Sequence, residues 1–409
     1  MRERSVLLGL VCALNAACTF ITSCPDPNAT GNGAAGTPSN GGTGSGTAGS
    51  GSNTGGTGSG VDWTIDGEWR NVTANLANIE SECGSMHAMF TKPDADLLIA
   101  GIAGKGLWAS SDGGESWSQL GTGKGSEVIV NRPTHLLFDP ANSGTWWEAG
   151  IYGFEGAGIY VTRDDGKTFQ PLPDTSHVDA MAIDFSDDER RLILAGGHEV
   201  SQKLFKSTDG GESWENIGAG LPEGTDCTRP YIVDATTYLV SCGGYRNAGE
   251  PAGPAGIFRS VDAGETWQSV SDVGGGLPIK TSAGRLFATG AVNNPGVLTR
   301  SEDAEGATWT GALASGQISN SPLVELPNGL LAGLNERRVV VSNDEGNTWT
   351  TVTPDLEFVG GGVVYSADRK AFFVWHGTCT FDGPVLVPED AIMGFDFDYE
   401  AFPTSAATP

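Results

Sequence analysis

Five histidines, His87, His135, His177, His198 and His376, stand out among the residues able to do chemistry. Arg132, Arg229 and Arg246 could each form a bidentate fork on a carboxylate or sulfate. Tyr152, Phe154 and Tyr245 could supply stacking surfaces for a sugar ring or another apolar face. Histidines also ligate metals, but the chain has no H-x-H or H-E-x-x-H spacing, so no metal site is expected. Nor does it contain G-x-S-x-G, a nucleotide-binding glycine loop or a zinc-ligand pattern. The histidines run from position 87 to position 376. Only a fold that returns repeatedly to one place can gather them.

Such a fold is written into the chain as a repeat. Four copies read Ser110-x-Asp112-x-Gly114-x-Ser116-Trp117, Thr162-x-Asp164-x-Gly166-x-Thr168-Phe169, Ser207-x-Asp209-x-Gly211-x-Ser213-Trp214 and Ser260-x-Asp262-x-Gly264-x-Thr266-Trp267. A fifth runs from Ser301-x-Asp303 through Gly306 to Thr308-Trp309 with one residue inserted, and the sixth is Ser342-x-Asp344-x-Gly346-x-Thr348-Trp349. Their aspartates are 41 to 53 residues apart, the length of a four-stranded propeller blade. Each copy has the chemistry of a tight turn. The Asp carboxylate can accept backbone N–H groups two or three residues on, and Gly supplies a positive φ. The flanking hydroxyls can tie the turn to its strands, and the closing Trp or Phe can pack between blades.

These residues resemble the Asp box, or BNR repeat, of sialidases, xyloglucanase-like glycoside hydrolases, sortilin-type receptors and photosystem II assembly factor-like propellers. The resemblance implies that the box is a structural turn between the third and fourth strands of a blade, so its aspartates take no catalytic role. A sialidase would imply an arginine triad, for which Arg132, Arg229 and Arg246 are the candidates, with Tyr245 as nucleophile. The F-R-I-P motif of that family is absent, and Asn131-Arg132-Pro133 comes a blade late. Xyloglucanase-like enzymes place two acidic residues across a cleft between two propellers, and this chain has room for one. Photosystem-factor propellers are nearer in size and blade number; they bind partners and do not catalyse.

Apolar and β-branched runs before each box read as strands. First-strand candidates are Met86–Phe90, His135–Phe138, Val178–Phe185, Tyr231–Val233, Leu277–Lys280, Pro322–Glu325 and Val363–Ser366. That makes an all-β, seven-bladed propeller in which the last blade lacks a box. Its remaining strand candidates are Ala371–Trp375 and Pro384–Val387, and Trp69-Arg70-Asn71-Val72 is expected to complete it, because an open edge invites pairing. Strand direction alternates, so the boxes share one face. His87, His135 and His177 at first strands, and His198 and His376 at the ends of second strands, fall on the other. Lys105, Arg132, Tyr152, Phe154, Arg229, Tyr245, Arg246 and Glu336 lie in the same loops. That face is the expected binding site for a glycan or protein partner, with a sialidase-like glycosidase as the alternative.

The ends of the chain speak of export. Arg2 and Arg4 precede an apolar run from Val6 to Ala17, which reads as a signal peptide over residues 1–23. Ile21-Thr22-Ser23-Cys24 resembles a lipobox that would lipidate Cys24. Residues 24–60 form a Gly/Ser/Thr-rich tether, about 30 Å in r.m.s. length, and the propeller occupies 61–409. The formal net charge of −27 argues against nucleic acid and against docking on anionic lipid; the only membrane contact expected is the lipid anchor. Calcium held by acidic loops such as Asp187-Asp188-Glu189 is an alternative use of the charge, unsupported by any D-x-D-x-D-G loop. No other cofactor is expected, and the protein is expected to be a monomer. In an oxidising compartment Cys227 and Cys242 should pair across a strand turn, and Cys83 and Cys379 should staple the ring closure.

Overall fold

A computed structural model describes residues 63–81, 86–152, 157–244, 253–290, 296–311, 313, 316–319, 322–377 and 385–403. Seven antiparallel sheets form the blades of a β-propeller. Their first strands are Met86–Thr91, Arg132–Phe138, Val178–Ile183, Thr225–Ile232, Ile279–Lys280, Val324–Glu325 and Gly362–Ser366. Each lies at one edge of its sheet. Those of blades 6, 7, 1, 2, 3 and 4 touch in succession around the channel.

Between the blades lies the core. Trp146 and Phe169 of blade 2 pack with Ile99 and Leu107 of blade 1, and Leu221 and Val240 pack with Leu204 across the next-but-one boundary. Each such buried side chain contributes about 2–3 kcal/mol. The box aromatics also tie each blade to its predecessor: Trp117 Nε1 donates to Val72 O, Trp214 to Pro173 O and Trp267 to Ile217 O.

Five boxes share one hydrogen-bond pattern. In the first, the Ser110 hydroxyl donates to Asp112 and accepts from Gly114 N–H, while Ser116 N–H and hydroxyl both donate to the Asp112 carboxylate. The same bonds recur at Asp164, Asp209, Asp262 and Asp344. This corrects the expected turn chemistry. The carboxylate reaches four residues on rather than two or three, and both hydroxyls serve the carboxylate rather than the strands. The left-handed Gly, such as Gly264 at φ +93°, widens the loop to that reach. A Cβ there would also lie 2.6 Å from Ile217 of the preceding blade.

The inserted fifth box differs. Asp303 accepts from Thr308 N–H five residues on, and the Ser301 hydroxyl turns away to accept from Leu286 N–H. Blade 5 has three strands, its fourth reduced to bridges such as Ser301 with Trp309.

The ring closes as expected at its N-terminal side. Arg70–Asn71 pairs with Ile392–Asp396, so blade 7 runs Gly362–Ser366, Ala371–Trp375, Ile392–Asp396, Arg70–Asn71. Trp69 packs on Phe395 and donates to Pro354 O. The expected third strand was misplaced, however. Val385–Leu386 instead pairs with Glu80–Ser81 in a separate two-stranded ribbon. Ile392–Asp396 takes its place because it buries Ile392 and Phe395 in the core on either side of Ala371–Trp375. Cys227 and Cys242 face each other in register and are disulfide-bonded. Cys24, Cys83 and Cys379 lie outside the described residues.

Candidate functional site

Antiparallel pairing fixes the two faces. In blade 2, Arg132 pairs with Ile151 at one end, and Phe138 pairs with Trp146, which pairs with Thr162 of the box, at the other. Box turns therefore sit with the ends of first strands, and the starts of first strands sit with the ends of second strands.

At those starts, blades 1 to 4 repeat one irregularity. Pairing skips a residue between Met86 and Ala88, between Pro133 and His135, between Val178 and Ala180, and between Cys227 and Arg229. The bulged residues are His87, Thr134, Asp179 and Thr228. A β-bulge leaves its extra residue unpaired and re-aims its side chain, so four adjacent blades present polar bulges around one sector of the channel mouth. Close approach accompanies it: a Cβ on Gly196 would lie 2.0 Å from Thr228 O. Next to the bulges, Tyr152, His177 and Glu199 have φ of +57°, +51° and +53°. Such left-handed non-Gly residues cost about 1 kcal/mol or more each and gather at functional sites.

His198 is the hub. Its Nδ1 lies 2.9 Å from Asp179 Oδ2 and its Nε2 lies 2.8 Å from the Tyr152 hydroxyl. With Nδ1–H donating to Asp179, Nε2 accepts from Tyr152 when neutral and donates to it when protonated. Glu199 Oε1 stands 3.6 Å from the same nitrogen. Tyr152 N–H donates to His177 Nδ1, and the Arg132 guanidinium lies 4.5 Å over the Tyr152 ring. Arg229 is buried at 9% exposure and donates to the Thr228 hydroxyl.

The ionisable groups here are pushed apart. Burial opposes charge on both Asp179 and His198, but their mutual hydrogen bond and attraction outweigh it, lowering Asp179 and raising His198. Burial and then the Asp179 charge raise Asp226 to about 7. Burial, aided by Arg132 for His87 and by Arg229 for His135, lowers both histidines to about 4, so they are neutral at ordinary pH. Burial likewise raises the Tyr152 hydroxyl. Two carboxylate oxygens, Asp226 Oδ1 and Glu199 Oε1, are buried without a hydrogen-bond partner.

With six boxes and a closed ring of seven sheets in place, the class is decided. The chain is an Asp-box β-propeller. A family model described as sortilin, neurotensin receptor 3 (Sortilin-Vps10) matches residues 105–229. A xyloglucanase of a Paenibacillus species is 28% identical over 190 residues, 44% of this chain and 16% of that protein. An oligoxyloglucan-reducing end-specific xyloglucanase of Neosartorya fischeri is 25% identical over 232 residues, 49% of this chain and 26% of that protein. The chain thus spans about a quarter or less of these relatives. Among solved structures, the extracellular domain of a hybrid two-component system of B. thetaiotaomicron aligns at TM-score 0.53 and 12% identity, over 80% of this chain and 39% of that one. That likeness is one of fold.

Of the residues singled out in the sequence, the propeller gathers His87, His135, His177, His198, Arg132, Arg229 and Tyr152 into blades 1 to 4. His376 stands in blade 7, stacked on Phe358 with ring centroids 4.4 Å apart; among the described residues no hydrogen bond or ring contact joins it to the His198 cluster. Tyr245, Arg246 and Phe154 lie outside the described residues. Asp187, from the acidic loop weighed for calcium, binds the Arg191 guanidinium and main-chain N–H. Sequence reasoning passed over Asp179, Asp226 and Glu199. A usable signal existed: His87, Asp179 and Asp226 each occupy the second position of their first strand. Exposed apolar side chains share the face, with Val128, Val130, Val200 and Val359 in its loops.

Proposed function

We propose that this protein is an exported, surface-anchored, monomeric propeller that binds a glycan, without catalysis, across the channel mouth opposite its boxes. One observation carries the reading: four adjacent blades repeat a bulge at a polar residue, and the ionisable Asp179, His198, Asp226 and Glu199 collect beside it. Tyr152 and His177 stand half-buried at this mouth, and the carboxylates of Asp226 and Glu199 can accept sugar hydroxyls. The two relatives named as xyloglucanases act on a polysaccharide, which supports a glycan as the ligand class. Export is supported by the Cys227–Cys242 disulfide, and anchoring rests on Cys24 and the tether that follows it.

A glycan array probed with the full chain tests this. Binding that is lost in Tyr152→Ala supports the reading. Silence across neutral, anionic and amine-bearing glycans sinks it.

A second reading, a glycoside hydrolase, is favoured by the opposite shifts of Asp226 and Asp179, the arrangement that lets one carboxyl act as acid and another as base. Release of sugar from xyloglucan, or of 4-methylumbelliferone from a sialoside, abolished by Asp226→Asn, would establish it.

A further inference from the structure

The cluster at blades 3 and 4 is electrostatically uneven. Asp179 is served by His198 and by Thr228. Asp226, on the equivalent position of the next blade, is 7% exposed and keeps Oδ1 without a hydrogen bond. Glu199 Oε1 is likewise unpartnered, on a side chain 21% exposed. The pair thus runs from a deep carboxylate to one at the solvent edge. The charges acting on Asp226 are those of Asp179, Arg229, His198 and Glu199; the two acids oppose its ionisation and the two bases favour it. Asp226 Oδ1 is an acceptor that lacks a donor, and Glu199 stands beside the Tyr152 hydroxyl and His198 at the edge. A cationic donor would satisfy Asp226 and relieve the carboxylate repulsion as well. An ammonium supplies both a donor and a positive charge, where a neutral hydroxyl supplies only the donor.

We propose that Asp226 and Glu199 form a subsite for the ammonium group of an amine-bearing sugar. This rests on the glycan-binding reading and narrows it: the face selects a cationic saccharide over the anionic one that Arg132 and Arg229 suggested in the sequence. Arg229 is buried against Thr228, and Arg132 lies over Tyr152, so both guanidinium groups are engaged within the cluster. A bound ammonium favours the Asp226 carboxylate, so binding releases a proton where Asp226 would otherwise hold one. Since Asp226 is raised to about 7, that release is expected near pH 6, where the sugar amine is still charged.

Isothermal titration calorimetry of the full chain at pH 6, in two buffers of different ionisation enthalpy, tests the subsite. The probes are a glucosamine trimer, its N-acetylated counterpart and a neutral glucose trimer. The glucosamine trimer should bind at least tenfold more tightly than either other probe and release protons. Asp226→Asn should remove both the preference and the proton release. Glu199→Gln, at the solvent edge where folding is not at risk, should weaken the preference several-fold. Equal or tighter binding of the glucose or N-acetylated trimer overturns the ammonium subsite and leaves glycan binding standing. Failure of all three probes to bind overturns the subsite, and with a silent array the glycan reading as well.

Discussion

The two faces of this propeller handle the same residue type in opposite ways. On the box face, the box aspartates are half-buried or exposed and saturated with donors. Hydrogen bonds from Ser213 hold Asp209 at about 2, and those from Thr266 hold Asp262 at about 2. Blades are also tied across this face, by Lys92 to Asp165, by Arg369 to Asp96 and by Arg190 to Asp139. On the opposite face, Asp226 is buried, short of a donor and raised to about 7. One face spends its carboxylates on stability. The other keeps polarity unsatisfied, which natural proteins tolerate where a ligand completes the site.

The largest effect should come from the box face. Arg190 and Asp139 form a buried bidentate pair, and removing one partner strands the other charge. Arg190→Ala should cost about 3 kcal/mol in a urea melt while leaving glycan affinity unchanged. A loss of affinity with intact stability would erase the division between faces.

Next come the boxes themselves. Asp164→Ala breaks bonds to Thr162, Thr168 N–H and the Thr168 hydroxyl and should cost about 1–3 kcal/mol. Asp303→Ala should cost about as much, because its carboxylate replaces the Ser301 bond with bonds from Glu305, Ala307 and Thr308 N–H beside the Thr308 hydroxyl. A much smaller loss for Asp303→Ala would mean the insertion has weakened its turn.

Smaller again are the effects of pH. Asp209 and Asp262 are depressed, so the stability they confer is present above about 3.8 and lost as pH falls through about 2. Glu148, fully buried beside Asn131, is raised to about 8 by burial. Its contribution is complete below 4.5 and lost as pH rises through 8. Melting temperature followed from pH 5 to pH 9 should therefore fall, and Glu148→Gln should flatten the fall. An unchanged slope in the variant would place the alkaline loss elsewhere.

What the sequence disclosed, it disclosed through periodicity. Six boxes at blade spacing specify the ring, and the Trp69 strand closes it, because both depend on local patterns repeated along the chain. The third strand of blade 7 was missed because Pro384–Val387 is the more continuous apolar run, whereas Ile392-Met393-Gly394-Phe395-Asp396 is interrupted by Gly394 and becomes a strand through burial of Ile392 and Phe395. The histidines could be placed on one face by strand alternation, since five in 409 residues are easily tracked. Asp179, Asp226 and Glu199 were passed over because they are three among 50 acidic residues, although the first two share the second position of their first strands. What distinguishes them is a bulge at Asp179 and the burial of Asp179 and Asp226, and both belong to the assembled blades.

The central claim is that the face opposite the boxes gives up stability for binding. Thermal melts of wild type and Asp226→Asn, at pH 8 without ligand and at pH 6 with and without the glucosamine trimer, test it directly. Because Asp226 is raised, its contribution is present below 3.8 and lost as pH rises through about 7, so the Asn variant should melt above wild type at pH 8. At pH 6 it should gain much less from the trimer than wild type does. A variant that melts lower than wild type, or that keeps the full ligand shift, contradicts the account.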